Sequence, residues 1–277
     1  MAVAYFTQLG GDGVSLNAAN WTDATGFAND ATLVIGAGTA NITADLDRTG
    51  STTTGIDYLH ITEGFAGTVG SSTAGSASIE FDATYTTLPN FVLRGSATVF
   101  LTAGSTTITK AEVTRGRLVL TGGTITTLVV SGGEVIVQSG CTVTNYVITG
   151  GSVNELGAGG TAATTCVQSG GRYVTERVPV TFTVRGASAY AQVNSTTADC
   201  TTLTHSDGRV VLEDGNIATL VGEGNGKLQL SPKRAVAIGG TALTRRGGYT
   251  ITGRASPLVS ISNEKYEAGP DGGEGMA

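Results

Sequence analysis

The chain has little of several residue types, and each shortage excludes a class of protein. Its 277 residues include five prolines, two histidines and one tryptophan, and 14% of them are charged. The 42 glycines come without the proline that collagen requires, and a proline-rich linker is excluded for the same reason. A hydrophobic content of 40% is enough to build a core.

Cysteine is also scarce. The three cysteines, Cys141, Cys166 and Cys200, form no CxxC pair and no cluster with histidine, so we expect neither a metal site nor any other cofactor. Cys166 occupies a position where similar segments have leucine or tyrosine. We interpret it as a small buried hydrophobe, with a reactive thiol as the alternative.

Targeting signals are absent as well. The sequence from Met1 has no basic segment followed by an apolar one, and no run approaches the ~18 apolar residues that a membrane span needs. We therefore expect a soluble protein that is made in the cytoplasm and does not contact membranes.

What the sequence does contain is a spaced repeat of the form Gly–polar–apolar–x–apolar. The glycines of six copies are separated by 17, 18, 20, 37 and 18 residues. The copies begin at Gly116, Gly133, Gly151, Gly171, Gly208 and Gly226. The 37-residue interval is two periods, and we place the missing copy at Gly186-Ala187-Ser188-Ala189-Tyr190.

Each copy is preceded by a second alternating segment, such as Thr127-Leu128-Val129-Val130 before Gly133. Two short strands per period of this length indicate one coil of a parallel β-solenoid. Side chains alternate across a strand, so Leu118 and Val135 are expected to point inward and stack in adjacent coils. A six-residue walk from Leu128 reaches Glu134 and Gly140, which breaks the pattern of left-handed solenoids and favours a right-handed one.

The repeat divides the chain into three predicted parts. Residues 55–254 form the all-β solenoid shaft, residues 1–54 an N-terminal cap, and residues 255–277 an extended or disordered acidic tail. Residues 1–93 carry nine acidic residues and one arginine, and residues 94–254 carry fourteen basic and nine acidic residues. This asymmetry favours association with a partner or with sister chains, and a solvated surface is the alternative reading.

Two groups of residues are candidates for partner binding. The basic residues Arg117, Arg172, Arg209 and Lys227 follow corner glycines and are expected to form an outward stripe, broken by Glu134. No aromatic residue is expected within this stripe, and the pI is near 4.9, so nucleic acid is not the expected partner. In the cap, Tyr5, Phe6 and Trp21 are candidates for a buried anchor or for the cap's own core.

Catalysis is not expected. Solenoid enzymes that cleave polysaccharides gather carboxylates in a groove. Here the acidic residues of the shaft are scattered, and the densest group is Asp207 with Glu213 and Asp214. His60 and His205 lie 145 residues apart.

The N-terminal third carries a resemblance. Asn20-Trp21, then Ala31-Thr32-Leu33-Val34-Ile35, Leu59-His60-Ile61-Thr62 and Gly64-Phe65-Ala66-Gly67 occur in an order that resembles β-solenoid virion proteins of tailed bacteriophages. The resemblance implies a capsid decoration or cement protein on the virion surface, with the major capsid protein as its partner. Because shell lattices offer threefold positions, we expect a homotrimer that binds through one end of the solenoid and its terminal arms. A phage tail spike or fibre, with polysaccharide binding or depolymerase activity, and a secreted autotransporter-like adhesin are the alternatives.

Overall fold

The computed structural model describes residues 3–6, 31–36, 56–70, 79–80, 87–157, 160–195 and 199–267. Within these residues the secondary structure consists of β-strands and contains no helix. Parallel strands stack as a β-solenoid of about nine turns, which confirms the predicted all-β solenoid. The chain divides into two compact units, Met1–Thr144 and Asn145–Ala277, and the boundary falls within one strand.

The first unit contains nine strands and the beginning of a tenth. They are β1 (Val3–Phe6), β2 (Ala31–Ile35), β3 (Ile56–Ile61), β4 (Thr68–Val69), β5 (Ile79–Glu80), β6 (Thr87–Leu93), β7 (Thr98–Val113), β8 (Arg117–Val130), β9 (Glu134–Val137) and β10 (Cys141–Ile148). Every described pairing among β1 to β9 is parallel.

The second unit continues from the end of β10. Its strands are β11 (Ser152–Glu155), β12 (Thr165–Gln168), β13 (Arg172–Thr175), β14 (Thr181–Val184), β15 (Tyr190–Asn194), β16 (Cys200–His205), β17 (Arg209–Asp214), β18 (Ile217–Gly222), β19 (Lys227–Leu230), β20 (Val236–Arg246), β21 (Thr250–Thr252), β22 (Val259–Ile261) and β23 (Glu264–Glu267). Strands two apart in this order pair in parallel, as each coil returns to the same side of the stack.

The core of the first unit is built from the inward side chains of each strand. Leu118 in β8 lies in register with Val135 in β9, and both side chains are fully buried. In β9 burial alternates along the strand, with Val135 and Val137 inside and Ile136 partly exposed. The predicted stacking of Leu118 and Val135 is therefore confirmed.

One inward column of the second unit shows how the core accepts different side chains at the same position. Cys166 is in register with Tyr146 on one side and Phe182 on the other. All three are buried, which confirms Cys166 as a core residue. Burial raises the pKa of the Cys166 thiol, and the pKa of Cys200 rises to about 12 for the same main reason, so both remain protonated near neutral pH.

The outward face of this same sheet is nearly free of charge. Two columns of outward side chains run across it, and they consist of threonine, valine, alanine and one asparagine. The residues are Asn145, Thr165, Thr181, Thr202, Thr219 and Ala242 in one column, and Val147, Val167, Thr183, Thr204, Val221 and Thr244 in the other. β-branched residues suit a pleated, half-buried surface, and threonine and valine fill most positions of this face.

Strands also occur in the segments predicted as cap and tail. β1 and β2 lie within residues 1–54, and they continue the parallel ladder to β3. β22 and β23 lie beyond residue 254 and pair with β20, whereas residues 268–277 fall outside the described part of the chain. The division into cap, shaft and tail, and the right-handed sense of the coil, stay predictions.

Replacing Val135 by Asp is expected to destabilise the protein by several kcal/mol, because the carboxylate would be buried between coils without a partner. The matched control is Ile136→Asp, one residue along the same strand on the outward side. Urea unfolding followed by circular dichroism measures both variants. Equal unfolding midpoints for the two would contradict the inward and outward assignment of β9.

Candidate functional site

The structure brings three of the four predicted stripe residues into one column. Arg172, Arg209 and Lys227 are the first residues of β13, β17 and β19, and all three side chains are exposed. Arg117 begins β8 in the first unit, where its Nε lies 3.1 Å from Oε2 of Glu134. The predicted stripe therefore falls into two parts: Arg117 in the first unit, and Arg172, Arg209 and Lys227 in the second.

The missing copy of the repeat lies three residues later than predicted. Arg172 and Arg209 are both in register with Tyr190, so Ala189 takes the place of the corner glycine. Gly186, where we placed the copy, instead accepts a hydrogen bond from the Ala189 amide in the turn that leads into β15. The expectation that no aromatic residue interrupts the stripe is wrong, because Tyr190 stands between two arginines.

Tyr190 holds these two arginines. The guanidinium carbon of Arg172 lies 5.8 Å from the centroid of the Tyr190 ring, and that of Arg209 lies 5.9 Å from it. Both distances are within the range of cation–π attraction. We call Arg172, Tyr190, Arg209 and Lys227 the basic column. Its members follow one another at the spacing of adjacent parallel strands, about 4.8 Å.

Glycines shape the corner beside the column for two different reasons. At Gly208 the backbone has φ +81°, and a Cβ would lie 2.5 Å from the Ala189 carbonyl oxygen. At Gly226 a Cβ would lie 2.8 Å from Cε2 of Tyr249, so the missing side chain makes room for that ring. Both glycines directly precede a cation of the column, and no larger residue fits at either position without movement of its neighbours.

A groove borders the column. Its volume is about 520 Å³. Besides the column residues from Tyr190 to Lys227, polar groups line it: Ser188, Asp207 and Asn225. The groove therefore combines cations with hydrogen-bonding groups and one carboxylate.

Few intramolecular partners occupy the cations of the column. Arg172 donates to Oδ1 of Asn154 at 3.3 Å, and Arg209 donates to Oε1 of Gln229. Within the described residues, Arg172, Arg209 and Lys227 form no ion pair with a carboxylate. Eight other described cations do form one: Lys110, Arg117, Arg177, Lys233, Arg234, Arg245, Arg246 and Arg254. The basic column thus retains its positive charge, as do four other described cations that form no ion pair: Arg94, Arg115, Arg185 and Lys265.

The structure says little about the three aromatic residues that are predicted to form an anchor. Tyr5 and Phe6 belong to β1, whose backbone pairs with β2. Trp21 lies outside the described residues. The anchor hypothesis stays a prediction.

A buried polar cluster that the sequence pattern did not lead us to expect lies in the core of the second unit. Glu155 and Arg177 are both fully buried, with Nη2 of Arg177 3.1 Å from Oε1 of Glu155. The Glu155 carboxylate accepts hydrogen bonds from the hydroxyls of Tyr146 at 3.0 Å and Tyr173 at 2.7 Å. Burial and the negative charge of Glu155 raise the pKa of Tyr173, so this hydroxyl stays a donor. Glu155 occupies an inward strand position, and a charged residue at such a position is the signal in the sequence that indicates a buried polar cluster.

A second buried polar pair lies near the corner at Gly226. Nδ1 of His205 lies 2.9 Å from the Tyr249 hydroxyl, and the two rings are perpendicular with centroids 5.2 Å apart. Burial lowers the pKa of His205 to about 4 and raises the pKa of Tyr249. His205 is fully buried, and at neutral pH it carries no charge.

Across the described ranges, no group of three or more His, Cys, Asp and Glu residues is arranged to hold a metal ion. In the same part of the chain, no helix has the length and hydrophobicity of a membrane span.

Replacing Glu155 by Gln is expected to cost about 3–5 kcal/mol of unfolding free energy, because the Arg177 charge stays buried without its carboxylate. The control is Glu134→Gln, which breaks the exposed ion pair with Arg117 and is expected to cost less than about 1 kcal/mol. Denaturant unfolding measures both. A similar small loss for the two variants would show that the buried pair contributes little.

Stability is expected to fall as the pH drops from about 6.5 to about 4, because the unfolded chain protonates His205 before the folded protein does. Below about pH 4 the contribution of His205 to the unfolding free energy no longer changes. The total loss of unfolding free energy amounts to roughly 3 kcal/mol. Urea titrations at several pH values compare the wild type with His205→Gln, in which this part of the pH dependence should vanish. Parallel curves for the two proteins would refute the assignment.

Comparison with protein-family profiles, with characterised proteins and with solved structures finds no match to this chain.

Proposed function

We propose that this chain is a non-enzymatic structural protein of a tailed-bacteriophage virion, which decorates the exterior of the capsid and stabilises the shell. The N-terminal resemblance suggests the virion. The solenoid supports the proposal because its stacked coils offer sheet faces and corners for contact, with a core that the chain supplies itself.

The observation that carries the proposal is the basic column. Arg172, Arg209 and Lys227 are exposed, lie in register on successive coils and, among the described residues, form no ion pair with a carboxylate. A surface of this kind fits an acidic patch on a protein partner, since complementary charge favours encounter and orientation. The partner in this proposal is the major capsid protein.

The proposed assembly is a homotrimer. Shell lattices present threefold and quasi-threefold positions, and a trimer matches them by closed symmetry. Three copies of the basic column would then face the shell together, so that three weak contacts act as one strong contact.

A phage tail spike that binds polysaccharide is the second candidate. The groove beside Tyr190 favours this second candidate, because an aromatic ring with polar neighbours is also typical of sugar-binding sites. In a tail spike, the protein would bind or degrade host polysaccharide and would not bind shells.

Wild-type protein is expected to co-sediment with empty capsid shells at a fixed ratio to the shell protein, whereas Arg172→Glu/Arg209→Glu is expected to remain in the supernatant. The reversal places like charges against the acidic partner. Lys233→Glu/Arg254→Glu, which reverses two cations that already pair with carboxylates, is the matched control, and light scattering reports the oligomer.

Two results would overturn the proposal. One is wild-type protein that never sediments with shells. The other is release of reducing ends from host capsular polysaccharide, which would instead identify a depolymerase.

A further inference from the structure

We propose that the basic column and its groove form a binding site for an extended acidic peptide segment that runs along the stack of the second unit. The inference deepens the proposed function and rests on it for the identity of the partner, a segment of the shell protein. The chemistry of the site rests on the structure of this chain alone.

The site prefers anionic ligands because its cations lack carboxylate partners among the described residues. Lys233 and Arg245, in the same unit, lie 2.7 Å and 2.8 Å from carboxylate oxygens of Glu213 and Glu264. Arg172 and Arg209 instead contact amide oxygens of Asn154 and Gln229. A neutral amide oxygen orients a guanidinium without cancelling its charge, so the remaining donors can bind an external carboxylate.

The site is also preorganised. The Tyr190 ring holds the Arg172 and Arg209 guanidinium groups at 5.8 Å and 5.9 Å from its centre, one from each neighbouring coil. Restricting two long side chains before binding reduces the entropy that a ligand must overcome. The planar fork of arginine then favours carboxylates in two-point contact.

A peptide fits this groove better than a densely charged polymer. The Asp207 carboxylate lines the groove, and the chain has a net charge of −6, so a polyanion such as nucleic acid meets repulsion that a sparsely charged peptide avoids. Ser188 and Asn225 supply hydrogen-bonding groups that suit peptide carbonyls and amides.

The spacing of the cations predicts the spacing of the acidic residues. Arg172 and Arg209 are two coils apart, about 9.6 Å, and Lys227 lies about 4.8 Å further along. In the extended polyproline II conformation a peptide advances about 3.1 Å per residue with three residues per turn, so residues three apart lie on one face about 9.3 Å apart. Glutamates three residues apart therefore match the two arginines, and a glutamate one residue further along lies about 3.1 Å beyond, within side-chain reach of the lysine.

The test uses two labelled peptides of identical composition and measures binding by fluorescence anisotropy. The first has the sequence Glu-Gly-Gly-Glu-Glu, and the second has Gly-Glu-Glu-Glu-Gly, each with the same neutral flanks. We expect the first to bind the full-length protein more tightly, with affinity that decreases as salt increases.

Variants of the column separate its charge from its geometry. Arg172→Ala/Arg209→Ala should weaken binding by at least about tenfold, since two charge-assisted contacts are lost. Tyr190→Leu should weaken it severalfold without a change in charge, while Tyr190→Phe, which keeps the ring, should bind like the wild type. Lys233→Ala removes a cation of the same unit that already pairs with Glu213 and should have no effect.

The outcomes distinguish this inference from the proposed function. Equal affinity for the two peptides, or a Tyr190→Leu variant that binds like the wild type, would overturn the site as described. Binding of alginate, an anionic polysaccharide, with no binding of either peptide would overturn it in favour of a glycan site. If the peptide binds with the expected spacing and the protein fails to sediment with shells, the site stands and the capsid function falls.

Discussion

Backbone hydrogen bonds between successive coils hold each strand in register with the strand one turn away, and the rest of the structure depends on this parallel ladder. Because side chains alternate along a strand, the register decides at every coil which residues enter the core. Leu118 meets Val135 in the first unit, and Tyr173 meets Ala191 in the second. A shift by one residue would turn each of these side chains to the outside.

The same ladder creates both the core and the candidate site. Strand β13 begins with exposed Arg172, and its next residue, Tyr173, is fully buried. Stacking repeats this arrangement one coil after another, so a column of cations forms outside a column of apolar residues. A single charged residue at a strand start contributes little to partner binding, but the register places several such residues side by side on the surface.

Buried polar residues depart from this simple pattern inside the second unit. Glu155 and His205 occupy inward strand positions, Arg177 follows strand β13, and each has a specific polar neighbour. Such groups disfavour alternative registers, because a slipped strand would separate the ion pair or leave the imidazole without the Tyr249 hydroxyl. In a repeat built from similar coils, these contacts distinguish one coil from the next.

The solenoid, its approximate period, the stacking of Leu118 on Val135 and the inward position of Cys166 all follow from the sequence, since strand alternation and coil length are local properties. The tertiary structure decided which residues of distant segments meet. The copies of the repeat differ in the length of their corners, and this changes which residues pair. Tyr190 therefore aligns with Arg172 and Arg209 although Gly186, the glycine expected to begin its copy, lies four residues upstream. The ion pair of Glu155 with Arg177 and the contact of His205 with Tyr249 likewise depend on side-chain reach between coils, which no local pattern encodes.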